Sequence, residues 1–358
     1  MTVSDLTVKN FRNLSEQKIS FGNGVNVIIG NNGHGKTNIL EAIYYFCEGR
    51  SHRGAKDREI IKFGEDFLRS EISFNSEYRA QNVRVSLTDK KLLLLNGVAV
   101  RKTSDLLGHV KCVLFTPDDM SVIKGSPGER RRFLDALITP LKPRYFTLLK
   151  SYKRILLQKN KALKEMPDRE LIGVWNSGLA ENAAEIIALR GEYTEILSKE
   201  AKRLYSEIGK KEDNLLVEYI PFIKLNEVNA IEQIKKAFND VMEKEIRFKT
   251  SLIGIQRDEL GILLNDEPLK SFGSQGQIRS AVLSLKLSQL YVMEKELGER
   301  PVLLLDDIMS ELDKERREFL LVKIKEGQVI ITCTDVDEFR LRENDRILRI
   351  EDGVANMQ

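Results

Sequence analysis

The feature that most constrains the fold is the octet Gly30-Asn31-Asn32-Gly33-His34-Gly35-Lys36-Thr37, which fills every position of the pattern G-x-x-x-x-G-K-[ST]. Residues 25–29 before it read as a short buried strand, and residues 38–46 after it as an amphipathic helix. Strand, glycine loop and helix N-terminus in that order make an anion site. The glycines let the backbone curl round a phosphate, and the free N–H groups and helix dipole favour negative charge. In such a loop Gly30, Asn31, Asn32, Gly33, His34 and Gly35 cradle the phosphates, Lys36 reaches the β- and γ-phosphates, and the Thr37 hydroxyl is offered to Mg²⁺. ATP with Mg²⁺ is the expected cofactor.

A second stretch completes this chemistry. Val302-Leu303-Leu304-Leu305 is an apolar strand that ends in Asp306 and Asp307. A buried strand ending in acids holds a carboxylate rigidly beside a phosphate loop. Asp306 is expected to bind the metal, and Asp307 to face the γ-phosphate and orient or deprotonate water. The pair lies about 270 residues after Lys36, far more than a compact nucleoside triphosphatase needs. One nucleotide fold is therefore split. The expected architecture is an α/β head with a mixed sheet, built from residues 1–115 and 250–358, with a mainly helical lobe, 116–249, inserted between its halves.

The texture of the chain agrees with a split. Residues 6–9 and 18–21 read as paired strands, and residues 67–100 alternate as an antiparallel meander with a turn at Asn96-Gly97. Residues 112–115 form a further strand. From 128 to 210 the pattern is helical: one helix opens near Gly128, another covers 144–165, and a long one runs over 169–208, with Pro140, Pro143 and Pro167 punctuating. A strand at 215–220 and a helix over 229–247 follow. Strands at 262–264, 302–305, 329–333 and 346–350 return the chain to α/β, the last of them ending the sheet. The loop 49–54 carries Arg53, which suits either a nucleotide contact or an ordinary surface arginine.

Composition narrows the class. A net charge of +3 confines any nucleic-acid surface to a local patch. Cys47, Cys112 and Cys333 are scattered and odd in number, which argues against structural zinc and for a reducing compartment. Residues 1–5 lack the pattern of a secretory signal, and no apolar run approaches the roughly 20 residues of a membrane span. A cytoplasmic protein without a membrane partner is expected.

These stretches resemble the ABC-type ATPase heads of the SMC class. The resemblance rests on the phosphate loop, Gly273-Ser274-Gln275-Gly276-Gln277 at a helix start, the strand with Asp306-Asp307, and Ser310-Glu311-Leu312-Asp313. Within that class, Asn10-Phe11-Arg12-Asn13-Leu14, Phe115-Thr116-Pro117-Asp118-Asp119-Met120, Arg130-Arg131-Arg132-Phe133-Leu134-Asp135 and Gln256-Arg257-Asp258-Glu259-Leu260 are similar to the RecF family of bacterial recombination mediators. The resemblance implies an ATP-dependent homodimer, formed head to tail, in which Ser274, Gly276 and Gln277 of one copy cap the γ-phosphate held by the other. It places Asp313 at that seam and Arg12 near the nucleotide. It implies DNA at single-stranded/double-stranded junctions or gaps, with RecR and RecO as partners in recombinase loading. It implies a weak, DNA-stimulated ATPase, and two departures imply that hydrolysis is slow: Asp307 stands where such heads carry glutamate, and Thr334 where they carry a switch histidine. Gln256 also replaces an expected histidine, which leaves the role of its segment open. The alternative is an SMC-like scaffold whose nucleotide is not hydrolysed. A transport ATPase subunit would need a coupling surface for a membrane partner, and none is legible. The helical insertion, about 130 residues with a longest helix of roughly 60 Å at 1.5 Å per residue, is too short for the long arms of a cohesion machine.

DNA has one basic stretch to meet. Lys142, Arg144, Lys150, Lys153, Arg154, Lys159, Lys161 and Lys164 crowd one helix, interleaved with Tyr145 and Tyr152. Such a face pairs with phosphates or is simply solvated, and of its residues Lys150, Lys153, Arg154 and Lys159 are the candidates for contact. Arg130, Arg131 and Arg132 either contact DNA or pin the helical lobe, and their place in the chain favours the second.

Overall fold

A computed structural model describes all residues except 77–78, 103–104, 107, 166, 210–211, 227–228, 335–343 and 358. The chain separates into two compact units, Met1–Asp119 with Lys286–Gln358, and Met120–Leu285. The first unit draws on both ends of the chain.

Its strands and helix run β1 (Thr2–Lys9), β2 (Gln17–Ser20), β3 (Val25–Ile29), α1 (Lys36–Glu48), β4 (Leu68–Ser76), β5 (Arg79–Leu87), β6 (Lys91–Leu95), β7 (Val98–Val100) and β8 (Cys112–Phe115). The second unit contains α2 (Ser121–Lys124), α3 (Pro127–Leu141), α4 (Pro143–Glu165), α5 (Arg169–Ile208), β9 (Leu215–Ile220), α6 (Ala230–Asp240), α7 (Met242–Phe248), β10 (Glu259–Leu264), β11 (Glu267–Pro268) and α8 (Leu269–Phe272). The first unit resumes within α9 (Gln275–Leu297), at Lys286, and continues with β12 (Val302–Asp306), α10 (Lys314–Lys323), β13 (Val329–Cys333), β14 (Arg346–Glu351) and β15 (Val354–Met357).

Two sheets build the first unit. One is antiparallel, in the order β2-β1-β4-β5-β6-β7. The other has the order β15-β14-β3-β13-β12-β8, parallel except for β15. Strands β12 and β13 are buried at every residue, as expected of a parallel sheet covered on both faces. Strand β5 instead alternates, burying Val83, Val85 and Leu87 on one side. Helix α1 joins both sheets in one core: Ile39, Leu40, Ile43 and Phe46 cluster with Val8, Ile72 and Phe74 of the antiparallel sheet and with Ile28, Leu304 and Ile330 of the parallel one. The parallel register puts the C-terminal ends of β3, β13 and β12 side by side, which is where an α/β sheet binds its ligand.

Several elements differ from the sequence reading. The sheet does not end at 350: a two-residue Asp352-Gly353 turn, both residues at positive φ, returns the chain as β15. Pro140 does not break α3 but lies in its last turn, and α4 starts at Pro143, where the missing N–H costs nothing. The helix over 229–247 is two helices, α6 and α7. The return to the first unit comes at Lys286, where the sequence suggested 250. The physical reason is pairing: β10 hydrogen-bonds along its length to β9, in a separate sheet of order β11-β10-β9.

Buried charge organises the second unit. Asp258, wholly buried, accepts from Arg190 at 2.7 Å, from the Tyr219 hydroxyl and from the Phe222 N–H at 2.9 Å. Arg190 also bonds the Tyr145 hydroxyl and Asp135. This gives the Gln256–Leu260 segment its role here: Asp258 ties α5 and β9 together. Burial lifts the Asp258 carboxyl above the usual aspartate range, against the pull of Arg190.

Candidate nucleotide site

The phosphate loop begins where β3 ends. Gly30 sits at φ 152°, and a Cβ there would collide with the Ile350 carbonyl of β14. Gly35, at φ 110°, forms the N-cap of α1, and a Cβ there would lie 2.7 Å from Asn13 Oδ1. No side chain caps α1, so the first N–H groups of the helix face the loop with no intrahelical acceptor. Lys36 Nζ donates to the Gly30 carbonyl at 2.6 Å and the Asn31 carbonyl at 3.2 Å, and lies 3.4 Å from Asn32 Oδ1. The ammonium is therefore held inside the loop.

The acids expected to complete the site are beside it. Thr37 Oγ1 donates to Asp306 Oδ1 at 2.9 Å, joining residues 269 apart in sequence. Thr332 of β13 donates to the same oxygen at 2.8 Å, and its own oxygen accepts the Asp307 N–H at 2.9 Å. Asp307 sits at φ 51°, turning the chain sharply off β12. Burial lifts its carboxyl above the ordinary range. The Lys36 ammonium opposes that lift, while Asp306 and Glu311 add to it. Thr37 and Asp306 are hard oxygen donors in contact, a set suited to Mg²⁺.

Arg12 lies against α1. Its Nε and Nη2 donate to the two oxygens of Glu41 at 3.0 and 2.7 Å, and Nη1 donates to the Glu59 carbonyl. Glu41 is fully buried and also accepts from Ser51, with Arg53 at 3.5 Å. Burial pushes this carboxyl up, but the bonds from Arg12 and Ser51 outweigh it and hold it below the glutamate range. Arg53 further donates to Asn38 at 3.0 Å, and so joins the site's framework. Sequence reasoning assigned no job to Glu41 or Thr332. Both carried a signal: a glutamate on the apolar face of α1, and a hydroxyl within the apolar run of β13.

Ser274, Gly276 and Gln277 open α9 in the second unit. Gln277 Oε1 accepts the Ser274 N–H at 2.9 Å, and Ser274 Oγ accepts the Gln277 N–H at 3.2 Å, a reciprocal capping box. Asp313 in the first unit caps α10 by accepting the Arg316 N–H.

The basic helix needs a correction. Lys159 is not a surface cation. It is wholly buried, pairs with the equally buried Glu245 at 2.7 Å and stacks over Phe238 at 4.9 Å. Burial depresses its ammonium, and Glu245 partly restores it. Tyr145 and Tyr152 are buried too, and Arg144 pairs with Glu185. Lys150, Lys153 and Arg154 remain exposed on one face of α4. The arginine triplet grades from buried to exposed: Arg130, buried, grips Glu259 through Nε and Nη2 at 2.6 and 2.7 Å, Arg131, half-buried, bonds the Asp258 carbonyl, and Arg132, exposed, pairs with Glu129.

A split parallel sheet, a complete phosphate loop and strand-end acids define an ABC-type ATPase head of the SMC class. Residues 2–356 match the family model described as the RecF/RecN/SMC N terminal domain. The chain is 37% identical to the DNA replication and repair protein RecF of Ruminiclostridium cellulolyticum, covering 99% of this chain and 98% of that one. It is 36% identical to the RecF of Acetivibrio thermocellus, covering 99% of both. A solved structure of the recombination mediator protein RecF with ATP, in the RecFOR pathway, matches with TM-score 0.92 at 34% identity over 99% of this chain and 97% of that one. An SMC head bound to a winged-helix domain of ScpA matches at TM-score 0.58 and 18% identity, covering 100% and 97%, a likeness of fold alone. The chain belongs to the RecF family. Its fold is an ABC-type ATPase head with an inserted, mainly helical lobe. Among the described residues, no helix is long and apolar enough to cross a membrane.

Proposed function

We propose that this chain is an ATP-dependent DNA-binding protein of recombinational gap repair, acting in the cytoplasm. ATP binding drives head-to-tail dimerisation on DNA, and slow, DNA-stimulated hydrolysis releases it. It assists recombinase loading with RecR and RecO at single-stranded/double-stranded junctions or gaps.

The observation that carries the reading is the bond from Thr37 to Asp306, which unites the two halves of a nucleotide site. Thr37 and Asp306 would hold Mg²⁺, which when bound neutralises phosphate charge. The loop from Gly30 to Gly35 and Lys36 would hold the phosphates, with Arg12 behind α1, and Asp307 would orient water. In the dimer, Ser274, Gly276, Gln277 and Asp313 of one copy would meet the γ-phosphate bound by the other. Lys150, Lys153 and Arg154 form the proposed DNA face.

ATP turnover with and without gapped DNA tests the central claim: slow turnover, raised by DNA, is expected. A second reading, an SMC-like scaffold that keeps its nucleotide intact, is favoured by the short Asp307 carboxylate and by Thr334 after β13. Absence of turnover even with DNA would establish it. Replacing Lys153 and Arg154 by Glu should weaken DNA binding about tenfold or more and flatten its salt dependence, while sparing ATP binding. Unchanged DNA affinity in a filter or anisotropy titration removes this face from the reading.

A further inference from the structure

The β14–β15 turn lies against the phosphate loop, although more than 300 residues separate them in sequence. Asp352 and Gly353 both have positive φ, 45° and 80°, the geometry of a tight two-residue hairpin. The Gly353 N–H donates to the His34 carbonyl at 3.1 Å, and the Asp352 N–H donates to His34 Nδ1 at 3.2 Å. Two bonds thus fix the loop's fifth residue, both its backbone and its ring. The acceptor role requires Nδ1 to be without a proton.

The turn is held from its other side as well. The Gly353 carbonyl accepts the Ser15 N–H at 3.4 Å and a bond from the Gln17 side chain, whose Oε1 accepts the Ala355 N–H at 2.7 Å. Asn13 closes the frame: its Nδ2 donates to the Gly33 carbonyl at 3.1 Å, and its Oδ1 accepts from Asn38 of α1 at 2.7 Å. A Cβ on Gly353 would run into the Asn13 carbonyl. The turn can approach this closely only because residue 353 has no side chain.

We propose that Asp352-Gly353 is a positioning element for nucleotide binding, acting through His34. This rests on the phosphate-loop reading given above. A loop that wraps a phosphate with backbone N–H groups must be held in one curvature. Gly33, at φ 85° with open space around it, supplies no stiffness of its own. The turn supplies it, so that a hairpin far from the loop in sequence sets its affinity.

The test compares full-length His34→Ala, His34→Asn, Gly353→Ala and Lys36→Ala, titrated with a fluorescent ATP analogue and melted without nucleotide. Asparagine places an amide oxygen where His34 Nδ1 sits. His34→Ala should bind about fivefold to tenfold more weakly at an unchanged melting temperature, and His34→Asn should recover most of the loss. Gly353→Ala should bind more weakly still. If it fails to fold, the two His34 variants decide. Wild-type affinity in His34→Ala, with Lys36→Ala binding far more weakly, overturns the positioning role and leaves the loop assignment standing. Equal losses in His34→Ala and His34→Asn overturn it in favour of direct ring contact with the ligand. Undiminished binding by Lys36→Ala overturns the phosphate-loop reading and, with it, this proposal.

Discussion

Two helices of this chain start at glycine- and serine-bearing turns, and they leave their first N–H groups in opposite conditions. Helix α1 has a left-handed glycine at its N-cap and no side chain accepting from its first turn. Helix α9 is closed by its own capping box, Ser274 with Gln277. A helix N-terminus carries roughly half a unit of positive charge and four donors in need of acceptors. α1 has no side-chain acceptor for its share of these, whereas α9 satisfies part of its own demand. An anion site made from backbone is ready before the ligand arrives. One made from a capping serine must exchange an internal bond for a ligand bond, which suits a contact formed only when a second copy docks.

The largest effect should come from the acid that faces the α1 site. Asp307→Asn should slow ATP turnover by about 10²- to 10⁴-fold while leaving ATP bound, so that dimers accumulate in light scattering with ATP. A monomer under those conditions would separate Asp307 from the hydrolytic step. The wild-type carboxyl ionises above the ordinary aspartate range, and a general base works only when ionised. Turnover should therefore fall on acidification sooner than an ordinary aspartate would dictate, and the Asn variant should lack that limb. Next is Lys36→Ala. Bonds to a charged donor are worth up to about 3 kcal/mol, so ATP affinity should fall about a hundredfold in calorimetric titration. Retained affinity would mean that the α1 terminus is not the anion site.

How much of this was readable in advance depended on distance along the chain. The phosphate loop is local, and every residue of it was legible. Its partner Asp306 was legible because a buried strand ending in acids is a pattern in itself. Lys159 departs from its expected role because a residue's charge says nothing of the face it occupies. It falls on the same helix face as Tyr145, Leu149, Tyr152 and Leu163, all buried, and that spacing already pointed inward. Its partner Glu245 comes from α7, and nothing in α4 announces it. The Asp258 hub was hidden for the same reason, since Arg190, Tyr219 and Phe222 reach it from separate elements. The β15 hairpin is announced by Asp352-Gly353, a strong short-range turn signal, although the apolar strand before it gives no sign that a further strand pairs beyond it.

The α9 terminus gives smaller effects. Ser274→Ala removes one side of the capping box and should cost about 1 kcal/mol of stability, seen as a modest drop in melting temperature without nucleotide. If Ser274 also meets a γ-phosphate across the dimer, the variant should bind ATP as a monomer with normal affinity yet dimerise poorly. Normal dimerisation would reduce Ser274 to a cap.

Gln277→Glu separates the two roles more cleanly. Glutamate at the third helical position completes a capping box as well as glutamine does, and its charge complements the helix dipole by a few tenths of a kcal/mol. The isolated chain should therefore melt at the same temperature or slightly higher. At a dimer seam, the same carboxylate would face the triphosphate of the other copy, and like charges in a desolvated contact repel. The expected pair of results is unchanged or raised thermal stability together with a lower dimer fraction in ATP. Lost stability would show that Gln277 caps α9 in a way a carboxylate cannot reproduce. An undiminished dimer fraction would show that the α9 terminus keeps its donors for itself and takes no part in the seam.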